Sequence, residues 1–274
     1  YILKADKLVG TDIHLRFQSV GATINLMLAS VLAEGTTTIS NAAKETEIMN
    51  IADFLNKMGA KITGAGTDEI TIVGVEKLDG AEISVLPDRI EAGTYIILGA
   101  LCGDKLCIKN VIPEHLAALT DKLTAMGINL DITSNSITVS KSPNLKAVDV
   151  TTLVYPGFPT DIGQPMSVLL TQSHGTSIFE ETIWENRMGH VPSLNKMGAN
   201  ISVNNTTATI IGPTNLTGAM VEATDLRGGA ALVLAGLTAT GTTTIKNAEH
   251  ILRGYANIIN KLTSVGAKIE LQEI

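Results

Sequence analysis

The segment Val154-Tyr155-Pro156-Gly157-Phe158-Pro159-Thr160-Asp161 sets a carboxylate directly after residues that interrupt regular structure. Two prolines and a glycine within four residues allow neither a continuous helix nor a central strand. The spacing predicts an extended segment that ends on Thr160 and Asp161, just ahead of the apolar run Pro165-Met166-Ser167-Val168-Leu169-Leu170. A carboxylate fixed at such a strand-to-helix joint rests on a rigid base and still faces solvent or a ligand. The plainer alternative is that Thr160 or Asp161 caps the helix N-terminus.

Arginines recur at comparable joints. Helix starts offer free N–H groups and a positive dipole end, so acidic residues are at home there. Arginines are not, at a cost of roughly 0.3–1 kcal/mol. Asp88-Arg89-Ile90-Glu91 and Asp225-Leu226-Arg227-Gly228-Gly229 both break that rule, and the two glycines after Arg227 would let a ligand approach the backbone. Arg253 stands beside Gly254, and Arg187 near a similar joint. Surface pairing with Asp88, Asp225 or Glu185 would explain any single one. Four together point to a shared anionic substrate, because arginine's rigid fork suits phosphate and carboxylate. Ser19-Val20-Gly21 opens another helix and fits a phosphate cradle.

Other chemistry is not encoded. His14, His115, His174, His190 and His250 form no metal spacing, and no Walker loop, dinucleotide fingerprint or nucleophile elbow occurs. Cys102 and Cys107 lack partners at metal-site spacing and read as two buried thiols in a reducing cytosol.

The elements that must position these residues repeat. Leu55-Asn56-Lys57-Met58-Gly59-Ala60-Lys61-Ile62 returns around Gly127, Gly198 and Gly266, at intervals of 68, 71 and 68 residues. Each glycine reads as a left-handed helix terminator before a strand. Ala33 to Ala42 is nearly copied by Ala239 to Ala248. Helix, glycine turn, Thr/Ile strand, second helix, glycine stop and alternating strands give a βαβαββ unit of about 70 residues. The expectation is an α/β fold of the α+β kind, built from pseudo-symmetric units. Residues 86–274 hold three units and close one domain, while 1–85 hold a single unit of another.

Composition narrows the partners. The 274 residues carry a net charge of −7, and no run of Lys or Arg offers a nucleic-acid surface. Apolar residues make up 45% but aromatics only 3%, so the core is aliphatic. Neither a signal segment nor an 18-residue apolar span is present, which predicts no membrane insertion and a cytoplasmic protein.

Several motifs in order resemble the enolpyruvyl transferase family: Ser19-Val20-Gly21-Ala22-Thr23, Pro87 to Thr94, Tyr155 to Asp161, Glu185-Asn186-Arg187, Asp225-Leu226-Arg227 and Arg253-Gly254-Tyr255. The resemblance covers nearly the whole chain and favours the branch that acts on UDP-N-acetylglucosamine. The 3-phosphoshikimate branch shares the repeat but not this set of motifs. The resemblance implies an inside-out α/β barrel fold with two domains of three units each. It further implies transfer of the enolpyruvyl group of phosphoenolpyruvate to the 3′-hydroxyl of UDP-N-acetylglucosamine. Phosphate is released, no metal or organic cofactor is needed, and the step is the first committed one towards peptidoglycan.

Carried over by motif, Asp161 resembles the carboxylate that accepts the sugar hydroxyl proton. Arg227 and Arg253 correspond to cations that hold phosphoenolpyruvate, with Arg187 in support and Arg89 among the substrate-binding residues. Ser19, Val20 and Gly21 correspond to contacts with the nucleotide diphosphate, and Ile183 to one near the sugar nucleotide. The family's N-terminal third, with a cysteine-bearing loop, has no counterpart here, and neither Cys102 nor Cys107 matches that loop. The chain departs from the family at Gly163, Leu252 and Lys44, where glutamine, an acidic residue and arginine are usual. These features predict a chain inactive on its own, with aliphatic surface exposed in 1–85 and self-association through it. An enolpyruvyl transferase with another acceptor, or a non-catalytic sugar-nucleotide-binding paralogue, stays open beside this reading.

Overall fold

The computed structural model describes residues 2 and 4–272 and divides into two compact units. One runs from the start of the chain to Leu86 and includes Val154–Pro156; the other comprises Pro87–Leu153 and Gly157–Ile274.

The first unit runs β1 (Asp12–His14), α1 (Val20–Ser30), β2 (Thr36–Ser40), α2 (Thr46–Lys57), β3 (Lys61–Thr63) and β4 (Glu69–Val73). β1 pairs with β2 in parallel, and β4 lies antiparallel between β2 and β3. Alternation makes this sheet one-sided: Thr37 and Ile39 on β2 and Ile70 and Ile72 on β4 are buried, while their neighbours are less so. Met27 from α1 and Ile48 and Leu55 from α2 complete that core. Gly59 ends α2 at φ 103°, where an L side chain is strained, and Ala60 N–H returns to Leu55 O at 3.0 Å. Gly127, Gly198 and Gly266 repeat the device at φ 88°, 100° and 94°. The expected left-handed terminators are thus present in all four copies.

In the second unit come α3 (Arg89–Cys102), β5 (Leu106–Lys109), a 3-10 helix (Pro113–Leu116), α4 (Ala117–Ala125), β6 (Leu130–Ile132) and β7 (Ser136–Val139). The next copy is β8 (Val150–Thr151), α5 (Gly163–Leu170), β9 (Gly175–Glu180), α6 (Val191–Lys196), β10 (Asn200–Asn204) and β11 (Thr207–Gly212). Last come β12 (Met220–Glu222), α7 (Leu226–Thr238), β13 (Thr244–Lys246), α8 (Glu249–Leu252) and α9 (Ile258–Ser264). Two copies fall short of βαβαββ. No strand precedes α3, where Pro87 lacks a ladder donor, and among the described residues none follows α9.

The leading helices α3, α5 and α7 pack against one another, and inward residues of the surrounding strands, such as Ile137, Phe179, Ile210 and Val221, join the same core. All eight residues of α5 are buried, so helices lie inside and sheets outside. Small residues permit the close approach. A Cβ on Gly163 would meet Phe179 Cζ at 2.6 Å, and one on Gly229 would meet Ile251 Cγ1 at 2.6 Å.

Three expectations need correction. Cys102 and Cys107 are exposed free thiols: Cys102 ends α3, and Cys107 points outward on β5 while Leu106 and Ile108 turn inward. Gly228 and Gly229 are buried in the helix trio and serve packing, not a ligand's approach to the backbone. The proline-rich segment is not extended but doubles back, with Leu153 N–H bonded to Phe158 O at 2.9 Å. Its Tyr155–Pro156 bond is cis.

Candidate active site

Asp161 sits in a 3-10 helix, Thr160–Ile162, that leads into α5. Neither Thr160 nor Asp161 caps the helix; both side chains are engaged elsewhere. Asp161 Oδ1 accepts a short hydrogen bond from Arg187 Nη2, and Oδ2 accepts one from Arg227 Nη2 at 2.9 Å. The arginines therefore meet at Asp161, not at Asp225 or Glu185 as surface pairing would have it. Asp225 instead caps α7, accepting from the N–H groups of Arg227 and Gly228 at 2.9 Å each.

Each partner comes from a different place and is braced behind. Arg187 lies in the loop between β9 and α6, its guanidinium 5.6 Å from the Trp184 ring centroid. Arg227 is the second residue of α7; its Nη1 donates to Tyr255 Oη at 3.5 Å, and its guanidinium lies 5.9 Å from that ring. Tyr255 is fully buried, and its hydroxyl pairs with Thr94 Oγ1 of α3 at 3.0 Å. All three copies in the larger unit thus support one carboxylate.

The side chains of Arg187 and Arg227 are 18% and 16% exposed and that of Asp161 is 35% exposed, so two largely desolvated cations back a carboxylate that remains open to solvent. Burial pushes the Asp161 carboxyl upward, but Arg227 and Arg187 outweigh it and hold it below its ordinary value. Burial pulls Arg227 down, and Asp161 more than offsets this.

A buried polar cluster stands behind Arg187. Gln164 Nε2 donates to Arg187 O at 3.4 Å. The Ser167 hydroxyl donates to Gln164 O at 2.6 Å, which leaves its oxygen to accept from His190 Nε2 at 2.8 Å. Burial pushes the His190 imidazole down to about 4, so it is neutral at ordinary pH.

The remaining candidates are not gathered at Asp161 by any hydrogen bond or ion pair to it. Arg89 opens α3 behind its cap Asp88. Arg253 follows α8, and its exposed side chain meets no acidic partner among the described residues. Ile183 is 40% exposed on the loop that carries Arg187. Ser19 caps α1 by accepting from Ala22 N–H at 3.2 Å, and Val20 and Gly21 begin that helix in the first unit. A Cβ on Gly21 would meet nothing within 4 Å. Among the described residues no cluster of three His, Cys, Asp or Glu could hold a metal ion, and no helix is long and apolar enough to cross a membrane.

Sequence reasoning missed Glu181, His190 and the brace formed by Tyr255 and Thr94. Glu181 was open to detection by aligning the repeats: it stands six residues after Gly175, where Asn41 and Asn247 stand six after Gly35 and Gly241.

Desolvated arginines around a single carboxylate suit the handling of an anion beside a proton acceptor. A family model described as EPSP synthase (3-phosphoshikimate 1-carboxyvinyltransferase) matches residues 2–262. The chain belongs to the EPSP synthase family. Within that family, this member is 56% identical over 268 residues to the UDP-N-acetylglucosamine 1-carboxyvinyltransferase of Clostridium botulinum, across 98% of its own length and 64% of the relative's. It is 56% identical over 271 residues to UDP-N-acetylglucosamine 1-carboxyvinyltransferase 2 of Clostridium acetobutylicum, across 99% and 65%. The chain thus spans slightly less than two thirds of these curated relatives. The enolpyruvyl transferase NikO from Streptomyces tendae shares its structure with a TM-score of 0.90 at 28% identity, covering 97% of this chain and 66% of that one. EPSP synthase from Acinetobacter baumannii, at 20% identity and a TM-score of 0.75 over 97% of this chain and 64% of that one, shares the fold.

Proposed function

We propose that this member of the EPSP synthase family carries the reacting site of a UDP-N-acetylglucosamine 1-carboxyvinyltransferase. The enolpyruvyl group of phosphoenolpyruvate passes to the 3′-hydroxyl of UDP-N-acetylglucosamine in the first committed, cytoplasmic step of peptidoglycan synthesis. The observation that carries this reading is Asp161 held between Arg187 and Arg227 in a chain so similar to enzymes of that name.

The chemistry follows from the pairing. A carboxylate with two cations on it is a weak base. Phosphoenolpyruvate brings charges that compete for Arg187 and Arg227, with the exposed Arg253 and the half-buried Arg89 as further cations. Once the arginines turn to the anion, Asp161 regains basicity beside the incoming hydroxyl. The sugar oxygen adds to C2 of phosphoenolpyruvate as the C2=C3 double bond opens and C3 takes up a proton, the hydroxyl proton passing to Asp161. Loss of a proton from C3 then restores the double bond as the C2–O bond to phosphate breaks. The reaction asks for no metal or organic cofactor. Ser19, Val20 and Gly21 at the start of α1 meet the nucleotide diphosphate, and Ile183 lies near the sugar nucleotide. On this reading the unit ending at Leu86 belongs to the sugar-nucleotide side and the one from Pro87 is catalytic. Leu8, Val9, Phe17, Leu28 and Leu32 are each at least half exposed in the first, which supports self-association.

Phosphate release from phosphoenolpyruvate, measured with and without UDP-N-acetylglucosamine, tests the reaction. The chain by itself should be silent. Extended by the N-terminal third of its relatives, it should release phosphate only with the sugar nucleotide, and Asp161→Asn should slow that release about 100- to 10,000-fold while phosphoenolpyruvate still binds. Release with a different acceptor alcohol only, or no binding of phosphoenolpyruvate, would overturn the proposal.

A further inference from the structure

Glu181 is a buried carboxylate, 2% exposed, with no cation among its hydrogen-bond partners. Its Oε1 accepts from Thr152 Oγ1 at 2.9 Å, Ile183 N–H at 2.8 Å and Trp184 N–H at 3.1 Å. Its Oε2 accepts from Thr160 Oγ1 at 2.6 Å. A carboxylate is acceptor-only with about four lone-pair sites, so four donors satisfy it.

Those donors belong to two chain segments with different cargo. Thr160 immediately precedes Asp161, and Trp184 lies three residues before Arg187. The circuit is closed by the Asp161–Arg187 hydrogen bond and by Arg187 over the Trp184 ring. The anchor itself is fixed: Glu181 N–H bonds to Thr206 O at 2.9 Å, and Thr152 N–H bonds to Glu180 O at 2.9 Å. Thr152 also accepts from Thr182 N–H at 2.9 Å, tying the loop's start to the same strand.

The same position in the other repeats carries a different residue. After β2, β5 and β13 the first residue is Asn41, Asn110 or Asn247, each in the left-handed conformation at φ 55°, 57° and 58°. Only after β9 is that turn residue replaced by a glutamate, whose φ is not among the positive ones. The exchange costs this copy its left-handed turn and supplies a buried acceptor that reaches two segments.

We propose that Glu181 is a positioning residue that sets Asp161 and Arg187 in register for the transfer reaction. It touches neither the reacting atoms nor, in this role, the substrates, and its importance for turnover rests on the reading of Asp161 and Arg187 given above.

The chain's single tryptophan offers a readout that needs no ligand. Glu181→Asn installs the residue of the other repeats, one methylene too short to reach both segments. The full chain carrying it should show red-shifted Trp184 emission and stronger acrylamide quenching, well below its melting temperature. Thr160→Val separates the two arms. It removes the donor to Oε2 and leaves Glu181 bonded to Thr152, Ile183 and Trp184. Trp184 emission should then stay native, while the Ile162 amide, bonded to Pro159 O at 3.0 Å, exchanges faster. In the active enzyme either change should lower kcat by about ten- to a hundredfold, more than it alters KM for UDP-N-acetylglucosamine. Native emission in Glu181→Asn, or, if that variant does not fold, native Ile162 exchange in Thr160→Val, would overturn the proposal even if the melting temperature fell. Absence of turnover in the chain extended by its relatives' N-terminal third would strike the reaction reading instead, and the emission and exchange measurements would still decide the role of Glu181.

Discussion

Asp161 and His190 both lie below their ordinary values, for opposite reasons. At Asp161 burial works upward and the arginines prevail; at His190 burial itself disfavours the charged ring. The Asp161 pairing therefore supports the fold above the unfolded carboxyl value, near 4, and is lost as pH falls through its lower folded value. His190 acts earlier. Between its ordinary 6.5 and about 4 the unfolded chain binds a proton that the folded chain refuses, so stability falls across that window by roughly 3 kcal/mol. Thermal melts from pH 7 to pH 3 should show two successive losses. His190→Asn should flatten the upper one and Asp161→Asn the lower. A profile unchanged by His190→Asn would mean that the ring is solvated. Neither feature was legible in the sequence, because the partners of Asp161 lie 26 and 66 residues away along the chain. What could be read was the clustering of arginines at repeated joints, which followed from the rule they break. The capping reading of Thr160 and Asp161 failed because Glu181 and the arginines compete for the same side chains.

Among the elements, the helix starts and stops were readable and the helix faces were not. Left-handed glycines announce themselves by recurrence, and Gly59, Gly127, Gly198 and Gly266 occupy the predicted conformation. Gly228 and Gly229 carry no such local mark; their smallness matters only because α7 meets other elements there. Gly229→Ala should cost about 1–3 kcal/mol for crowding Ile251, against up to about 1 kcal/mol gained in helix propensity. Gly21→Ala, with open space around its Cβ, should be neutral or stabilising by up to about 1 kcal/mol. Denaturant melts of the two variants should move in opposite directions or leave Gly21→Ala unmoved. A Gly229→Ala protein as stable as its parent would show that Ile251 yields. The same reasoning explains Gly163: the Phe179 ring fills the place that the family's usual glutamine side chain would leave from.

For the whole molecule, two hydrophobic cores with no residue in common underlie the two units, one assembled from Met27 to Ile72 and the other from Ile90 to Leu262. The repeat length and the mixed α/β fold class were legible because each copy carries its own punctuation. The missing strand before α3 was not, since the pattern there is shared with copies that do pair. Sedimentation velocity over a hundredfold concentration range should reveal association, and Leu28→Lys with Leu32→Lys should reduce it. A monomer at every concentration would remove that part of the reading. The helix trio has a further consequence, for the order of events in time. Its members are drawn from residues 89–102, 163–170 and 226–238. Long loops must close before their apolar sides can meet, whereas the core from Met27 to Ile72 is drawn from one stretch of chain. Assembly of the trio is therefore the slow step expected of this fold, and the apolar sides of α3, α5 and α7 lie open to aggregation until it is complete.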